Sequence, residues 1–574
     1  MALNVLAPLD SSTESLDFAN PDEAFQAFTV KWIGCCESRH KACRLHRRLD
    51  TTMRLIDCET REVVDVATFL PDSIPNYIAL SYVWGKTEAV TKLAKGTSTL
   101  PTQLTPVVED AIVVTKALEY RYLWVDKFCV DQHDSTKKHQ QIMHMDSVYQ
   151  NAALTIIAAA GRDERYGLPG VSITRPIQQA CFEGDGWTVA STLPPPHKRI
   201  YGSHWATRGW TYQEAVLSHR CLVFAEDQLY FECNTMSCYE SLRISFSKYY
   251  SRKSTLLDHL LQPRLFSSLH QSLLPGQRHQ RTIRLARFFT YVQCAEQYSY
   301  RQLSFDDDSL NAFGGIIRKL ETVDEYPVRH IWGIPFLHPA DYPSEQSLDF
   351  LGFIMTGLSW RHTPSTRPPR RRKNLPSWTW AGWEGAISWP KAAAETDIQG
   401  LDRYYWTNPG GIPNDAPSRQ SASWHDVIIQ LEDQDKGKHS FPDLRLRQMT
   451  VSGDAADSRR QFPKSLLIKT SAVPRAAFAS VDRASSSKNT IKLSTGAEAR
   501  FYPSKFGLSA ARAVKLLKSG EYEAIRLGIV GDEATLMLIK WHQKSAYRVG
   551  VIVADHHQLN FADFNTGVKT YKLK

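Results

Sequence analysis

Three carboxylates stand where a carboxylate is costly. Asp126 lies inside the apolar run YLWVDKFCV (122–130), and Glu214 follows Gln213 in WATRGWTYQEAVLSHRCLVF (205–224). Asp131 stands with Gln132 and Asp134 just beyond the first run. A charge withdrawn from water costs several kcal/mol unless it is paired, so each carboxylate either holds a structural partner or is tuned by burial for chemistry. The structural partner of Asp126 would be a cation near Lys127 or an arginine from elsewhere, and that of Glu214 would be Arg208 or Arg220. Asp134 has the position of a helix cap. Ser81, Trp84, Gly85, Gln132, Arg208, Trp210 and Gln213 complete the set as candidate ligand-binding residues. A second cluster, Cys36, His40 and Cys43 with Cys58 downstream, offers four soft ligands for tetrahedral zinc. Its spacing fits no standard finger, so the cysteines are expected to pack, with no metal and no cofactor. Gly85-Lys86-Thr87 resembles the end of a phosphate loop, but Leu80 stands where the loop needs glycine.

The elements that must position these residues can be read from periodicity. Residues 77–85 (YIALSYVWG) are an apolar run too short for a helix and stopped by glycine, hence a buried strand. Leu104, Val107, Ala111, Val114 and Leu118 recur at helical spacing behind Thr105-Pro106, which predicts a helix over 104–122. A second strand over 122–130 precedes a helix that places Ile142, Met145, Val148, Tyr149 and Ala152 on one stripe, and a third strand, 153–160, stops at Gly161. This order predicts an α/β fold with an open parallel sheet covered on both faces. Ligands of such sheets bind at the carboxyl ends of the strands, here Trp84 and Gly85, 129–134 and 161–163.

The segments YIALSYVWG (77–85), LWVDKFCVDQHD (123–134) with QQIMHMDSVYQNA (140–152), and RGWTYQEAVLSHRCLVF (208–224) resemble the three sequence blocks of the fungal heterokaryon incompatibility domain. The resemblance implies a fold distantly similar to the Toll/interleukin-receptor (flavodoxin-like) domain and a role in non-self recognition and regulated cell death. It also implies NAD hydrolysis as one activity, since some Toll/interleukin-receptor relatives cleave NAD with a glutamate. Glu214, Asp131 and Asp126 are then the candidates for stabilising the ribosyl centre, with Trp84 or Trp210 as the wall for the base. The family usually has Asn where Asp131 stands, Leu where Tyr212 stands and Glu where Lys137 stands. Lys137 removes the obvious alternative and leaves Glu214 as first choice. The competing reading is a non-enzymatic module that acts by self-assembly or by binding protein partners.

At 574 residues the chain should hold about three domains. The reading is an N-terminal arm (1–30), the α/β domain (31–235), a mainly helical extension (236–360), a loop-rich basic region (361–450) and a C-terminal β-rich domain (451–574). No apolar run approaches the ~20 residues of a membrane span, and the amino terminus lacks the basic start of a signal peptide. A cytoplasmic chain with reduced cysteines is expected, and membrane or nucleic-acid partners are not. The net charge of +9 is mild for this length and sits partly in 367–373. Residues 361–374 are read as a disordered, solvated basic loop, with 370–373 as an alternative nuclear import signal.

Overall fold

The computed structural model describes residues 25–44, 52–69, 75–85, 93, 96–175, 181–184, 187–190, 193–241, 265–266, 269, 280–323, 325–341, 350–364, 367–390, 428–432, 437–440, 463–479, 489–530, 533–555 and 567–574. They fall into two compact units, 1–275 and 276–574.

The first unit opens with α1 (Gln26–Arg39), which starts inside the stretch read as an arm, and a hairpin of β1 (Arg54–Asp57) and β2 (Glu62–Asp65). β3 (Tyr77–Ser81), α2 (Pro106–Ala117), β4 (Tyr122–Trp124), α3 (Asp126–Cys129), α4 (Ser135–Met143), α5 (Met145–Asn151) and β5 (Leu154–Ala158) follow. Then come an outlying hairpin of β6 (Cys181–Gly184) and β7 (Trp187–Ala190), α6 (Pro196–Tyr201) and α7 (Trp210–Val216). β8 (Arg220–Phe224), β9 (Leu229–Cys233) and β10 (Ser237–Tyr239) close the unit's sheet.

The sheet has eight strands in the order β10-β9-β8-β5-β3-β4-β1-β2. Its centre, β4-β3-β5-β8, is parallel, and every residue of β3, β5 and β8 is buried, as expected of strands covered on both faces. The flanks correct the expectation of an all-parallel sheet. β1 pairs antiparallel with β4, and β9 pairs antiparallel with β8, so the sheet is mixed. The cause at β9 is local: only 225–228 join it to β8, too few residues for a parallel crossover. Counted along the chain, the parallel strands stand 2-1-3-4, with the direction of winding switching between β3 and β5.

Local corrections concern ends and breaks. α2 begins at Pro106 as expected but stops at Ala117, before Glu119 takes a positive φ of 63°. β4 ends at Trp124, so Asp126 is not within a strand but opens the one-turn helix α3. An apolar run such as YLWVDKFCV cannot by itself separate strand from buried helix. The single helix expected after it is two, broken at His144.

The second unit holds the helices Gln280–Ser299, Asn311–Glu321, Phe350–Leu358 and Ala510–Ser519, with a nine-stranded, largely antiparallel sheet built from residues 428 to 573. The basic loop read as disordered is folded into it. Arg370 forms ion pairs with Asp306 and Glu384 at 2.6 Å each, Arg361 pairs with Glu533 at 2.7 Å, and Arg372 is buried. Within the region read as loop-rich, 391–427 lies outside the described residues. Among the described residues no helix is long and apolar enough to cross a membrane.

Candidate active site at the strand ends

β3 ends at Ser81, and α7 brings Glu214 to it. Ser81 Oγ donates to Glu214 Oε2 at 2.5 Å and accepts from Trp205 Nε1 at 2.8 Å. Tyr149 donates to the Leu80 carbonyl at 3.2 Å, and its hydroxyl lies near Glu214. Glu214 is 6% exposed. Burial pushes its carboxyl up to about 7, outweighing the Ser81 donor, the nearby Tyr149 hydroxyl and the Arg208 charge, while the charge of Asp126 adds to the rise. Arg220, one expected partner of Glu214, instead reaches Cys36 Sγ and the Ala153 carbonyl.

Asp126, half-buried, is the second carboxyl at this edge. It accepts from Trp84 Nε1 at 2.8 Å and from the Lys127 backbone N–H at 2.7 Å. Burial pushes it up to about 6, with the nearby Glu164 charge adding to the effect. The cation expected beside Asp126 is turned elsewhere. Lys127 Nζ lies 3.0 Å from Glu164 Oε2 in a buried ion pair and 6.0 Å from the centre of the Trp84 ring. The Gly85 N–H also donates to Glu164, at 3.3 Å. Tyr82 sits among these groups. Burial, then the charges of Asp126 and Glu164, raises its phenol well above the usual range, and its hydroxyl has no partner at hydrogen-bond geometry.

Asp131 is not part of this group. Its Oδ1 accepts from the backbone N–H groups of His133 at 2.9 Å and Asp134 at 3.1 Å, a turn-stabilising arrangement. Burial works upward on Asp131, but these donors and the charges of Arg54 and Lys137 hold it below the usual range. With Gln132, Arg54 and Lys127 it lines a cleft of about 590 Å³. Gln132 Nε2 reaches the Asp126 carbonyl at 3.4 Å. Gln213 is buried, and Arg208 and Trp210 are half-buried, Trp210 against the core. Gly161, after β5, donates to Glu226 at 3.0 Å.

Sequence reasoning missed Tyr82, Lys127 and Glu164 as members, and took Tyr149 and Trp205 only as core. Glu164 sits in the polar loop RDERYG, where nothing marks a buried residue. The sulfur cluster also differs from expectation. Cys36, His40 and Cys43 meet Cys233 of β9, not Cys58, which follows β1, five strands away across the sheet.

Residues 77–214 match the family described as heterokaryon incompatibility protein (HET). Heterokaryon incompatibility protein 6, OR allele, of Neurospora crassa is 29% identical over 125 residues, which cover 19% of this chain and 18% of that protein. The chain thus spans less than a fifth of that relative's length in the match. No solved structure matches the chain.

Proposed function

Since the chain is a heterokaryon incompatibility domain protein through residues 77–214, we propose that it acts in non-self recognition and regulated cell death by hydrolysing the N-glycosidic bond of a nucleotide such as NAD. The observation that carries this reading is the pair of carboxyls, Asp126 and Glu214, raised to about 6 and about 7 at the carboxyl edge of β3 and β4. Groups that titrate near neutrality at that edge suit electrostatic and acid–base work. The 2-1-3-4 strand order supports the Toll/interleukin-receptor likeness that such a reaction presupposes.

Asp126 is the more exposed of the two and carries Trp84 beside it. In this mechanism the Asp126 carboxylate faces the positive charge that develops at the ribose C1′ as the bond to the nicotinamide nitrogen breaks, and Trp84 packs against a ring of the nucleotide. Water then adds at C1′ and loses its proton. Glu214, bonded to Ser81 at the end of β3, acts as a positioning residue that holds this edge of the sheet. Asp126→Asn should lower NAD consumption by purified protein ~100-fold or more. Glu214→Gln should leave the acid limb of the pH–rate profile, set by Asp126, in place, because Glu214 is still largely protonated and neutral where Asp126 ionises.

One observation favours the non-enzymatic module: Trp205 donates to Ser81 and Ser81 to Glu214, a chain of bonds that a purely structural clamp between β3 and α7 would have. A folded wild-type protein that consumes no NAD or related nucleotide establishes that second reading.

A further inference from the structure

We propose that Cys36, His40, Cys43 and Cys233 bind a structural zinc ion that fastens α1 and the turn after it to β9. The four ligand atoms lie within 4.8 Å of one another, and His40 Nδ1 is 3.4 Å from Cys233 Sγ. A tetrahedral zinc at ~2.3 Å from sulfur and ~2.0 Å from nitrogen would hold its ligand atoms roughly 3.4–3.8 Å apart, so a small contraction closes the site. All four residues are buried, Cys36 and Cys43 completely. Three sulfurs and one imidazole leave no place for water, which is the composition of a structural rather than a catalytic centre.

Charge supplies an independent argument. Arg220 is 4% exposed, and its Nε lies 3.2 Å from Cys36 Sγ, while the carboxylate of Glu37 stands at 4.0 Å and is half exposed. A buried guanidinium against a neutral thiol is poorly compensated. Three thiolates, a neutral imidazole and Zn²⁺ sum to one negative charge, which Arg220 balances. The Met236 N–H points at Cys233 Sγ at 3.3 Å and the Thr235 hydroxyl lies 3.8 Å from Cys43 Sγ, a set of donors that suits sulfur anions.

The local chain makes the pocket. Cys36 and His40 stand one helical turn apart at the end of α1, and His40 leaves the helix with φ −101° and ψ 96°. The 3-10 turn Lys41–Cys43 then aims Cys43 back at Cys36. Trp32 of α1 tilts against Phe231 of β9 with ring centres 6.0 Å apart, which brings the helix to the strand that ends in Cys233. His40 and Cys233 are 193 residues apart in sequence, so no finger spacing announces the site.

The full-length chain, purified without chelator, should contain about one zinc per chain. Cobalt(II) in its place should show the ligand-field and thiolate charge-transfer bands of a tetrahedral centre. Cys43→Ser and Cys233→Ser should lose the metal and Cys58→Ser should keep it. Because the ligand variants can fail to fold, the wild type is also treated with chelator, which should lower its thermal midpoint by ~5 °C or more. A folded wild type with under about a tenth of a metal ion per chain and no cobalt bands on reconstitution would overturn the proposal. So would a Cys36–Cys43 or Cys43–Cys233 disulfide found by mass in protein kept under reducing conditions, or a Cys58→Ser variant that loses the metal while Cys233→Ser keeps it.

Discussion

A carboxyl that titrates near neutrality makes the fold around it sensitive to pH, and Glu214 is the clearest case. Its folded pKa of about 7 lies above the usual 4.5, so between these values the folded state holds a proton that the unfolded chain has released. Stability is therefore full below pH ~4.5 and falls as pH rises through ~7. At ~1.4 kcal/mol per pKa unit the loss is ~3 kcal/mol, and Asp126 adds a smaller one across its own window, from 3.8 to about 6. Glu214→Gln, which has nothing to titrate, should gain stability over the wild type as pH rises from ~5 to ~8 and show no gain near pH 4. Urea midpoints at three pH values check this, and a difference independent of pH would count against a protonated Glu214. At this scale the sequence marked Asp126 and Glu214 as costly residues, because a carboxylate in an apolar run is visible without a structure. It could not mark Glu164, whose burial is decided by segments distant in the chain.

At the scale of elements, the start of α4 shows what a single cap contributes. Asp134 Oδ1 accepts from the N–H groups of Thr136 at 2.9 Å and Lys137 at 3.1 Å, satisfying two donors that the helix leaves open. Asp134→Ala should cost ~1 kcal/mol in chemical denaturation. Lys137→Glu, which places a carboxylate at the capping-box position and removes a cation from the first turn, should add a few tenths of a kcal/mol. If Lys137→Glu destabilised the protein, the side chain would have a partner beyond the cap. The succession of β3, α2, β4 and β5 was legible because each is a short apolar run or a clear 3.6-residue stripe bounded by glycine, proline or a cap. The break between α4 and α5 was not, since Met145 and Tyr149 continue the stripe across His144. The end of β4 was hidden for a related reason, that Val125, Phe128 and Cys129 are as apolar in a helical turn as they would be in a strand.

For the molecule as a whole, the chain forms two compact units that meet in sequence at 275–276. All eight strands of the mixed sheet and its core belong to the first. Residues 1–275 expressed alone should therefore unfold in one cooperative transition with native-like near-UV circular dichroism. A molten product would mean that this unit depends on the remainder of the chain. The β-rich character of the C-terminal part was readable from its short apolar runs, and strands Ser465–Ser471 and Glu533–His542 lie within the stretch read as β-rich. Of the antiparallel flanks on the first unit's sheet, β9 follows β8 too closely to run any other way, but the pairing of β1 with β4 was not readable, because composition carries no sign of which edge a distant strand joins.

Those flanks limit how copies of the protein can join. The outermost strands, β2 and β10, are four and three residues long, and Glu62 and Asp65 stand at the two ends of β2. Short, charged borders are poor templates for adding a foreign strand. If incompatibility proceeds through oligomers of this domain, they should grow by contact between helical faces and stay reversible and thioflavin-negative, not propagate as cross-β fibres.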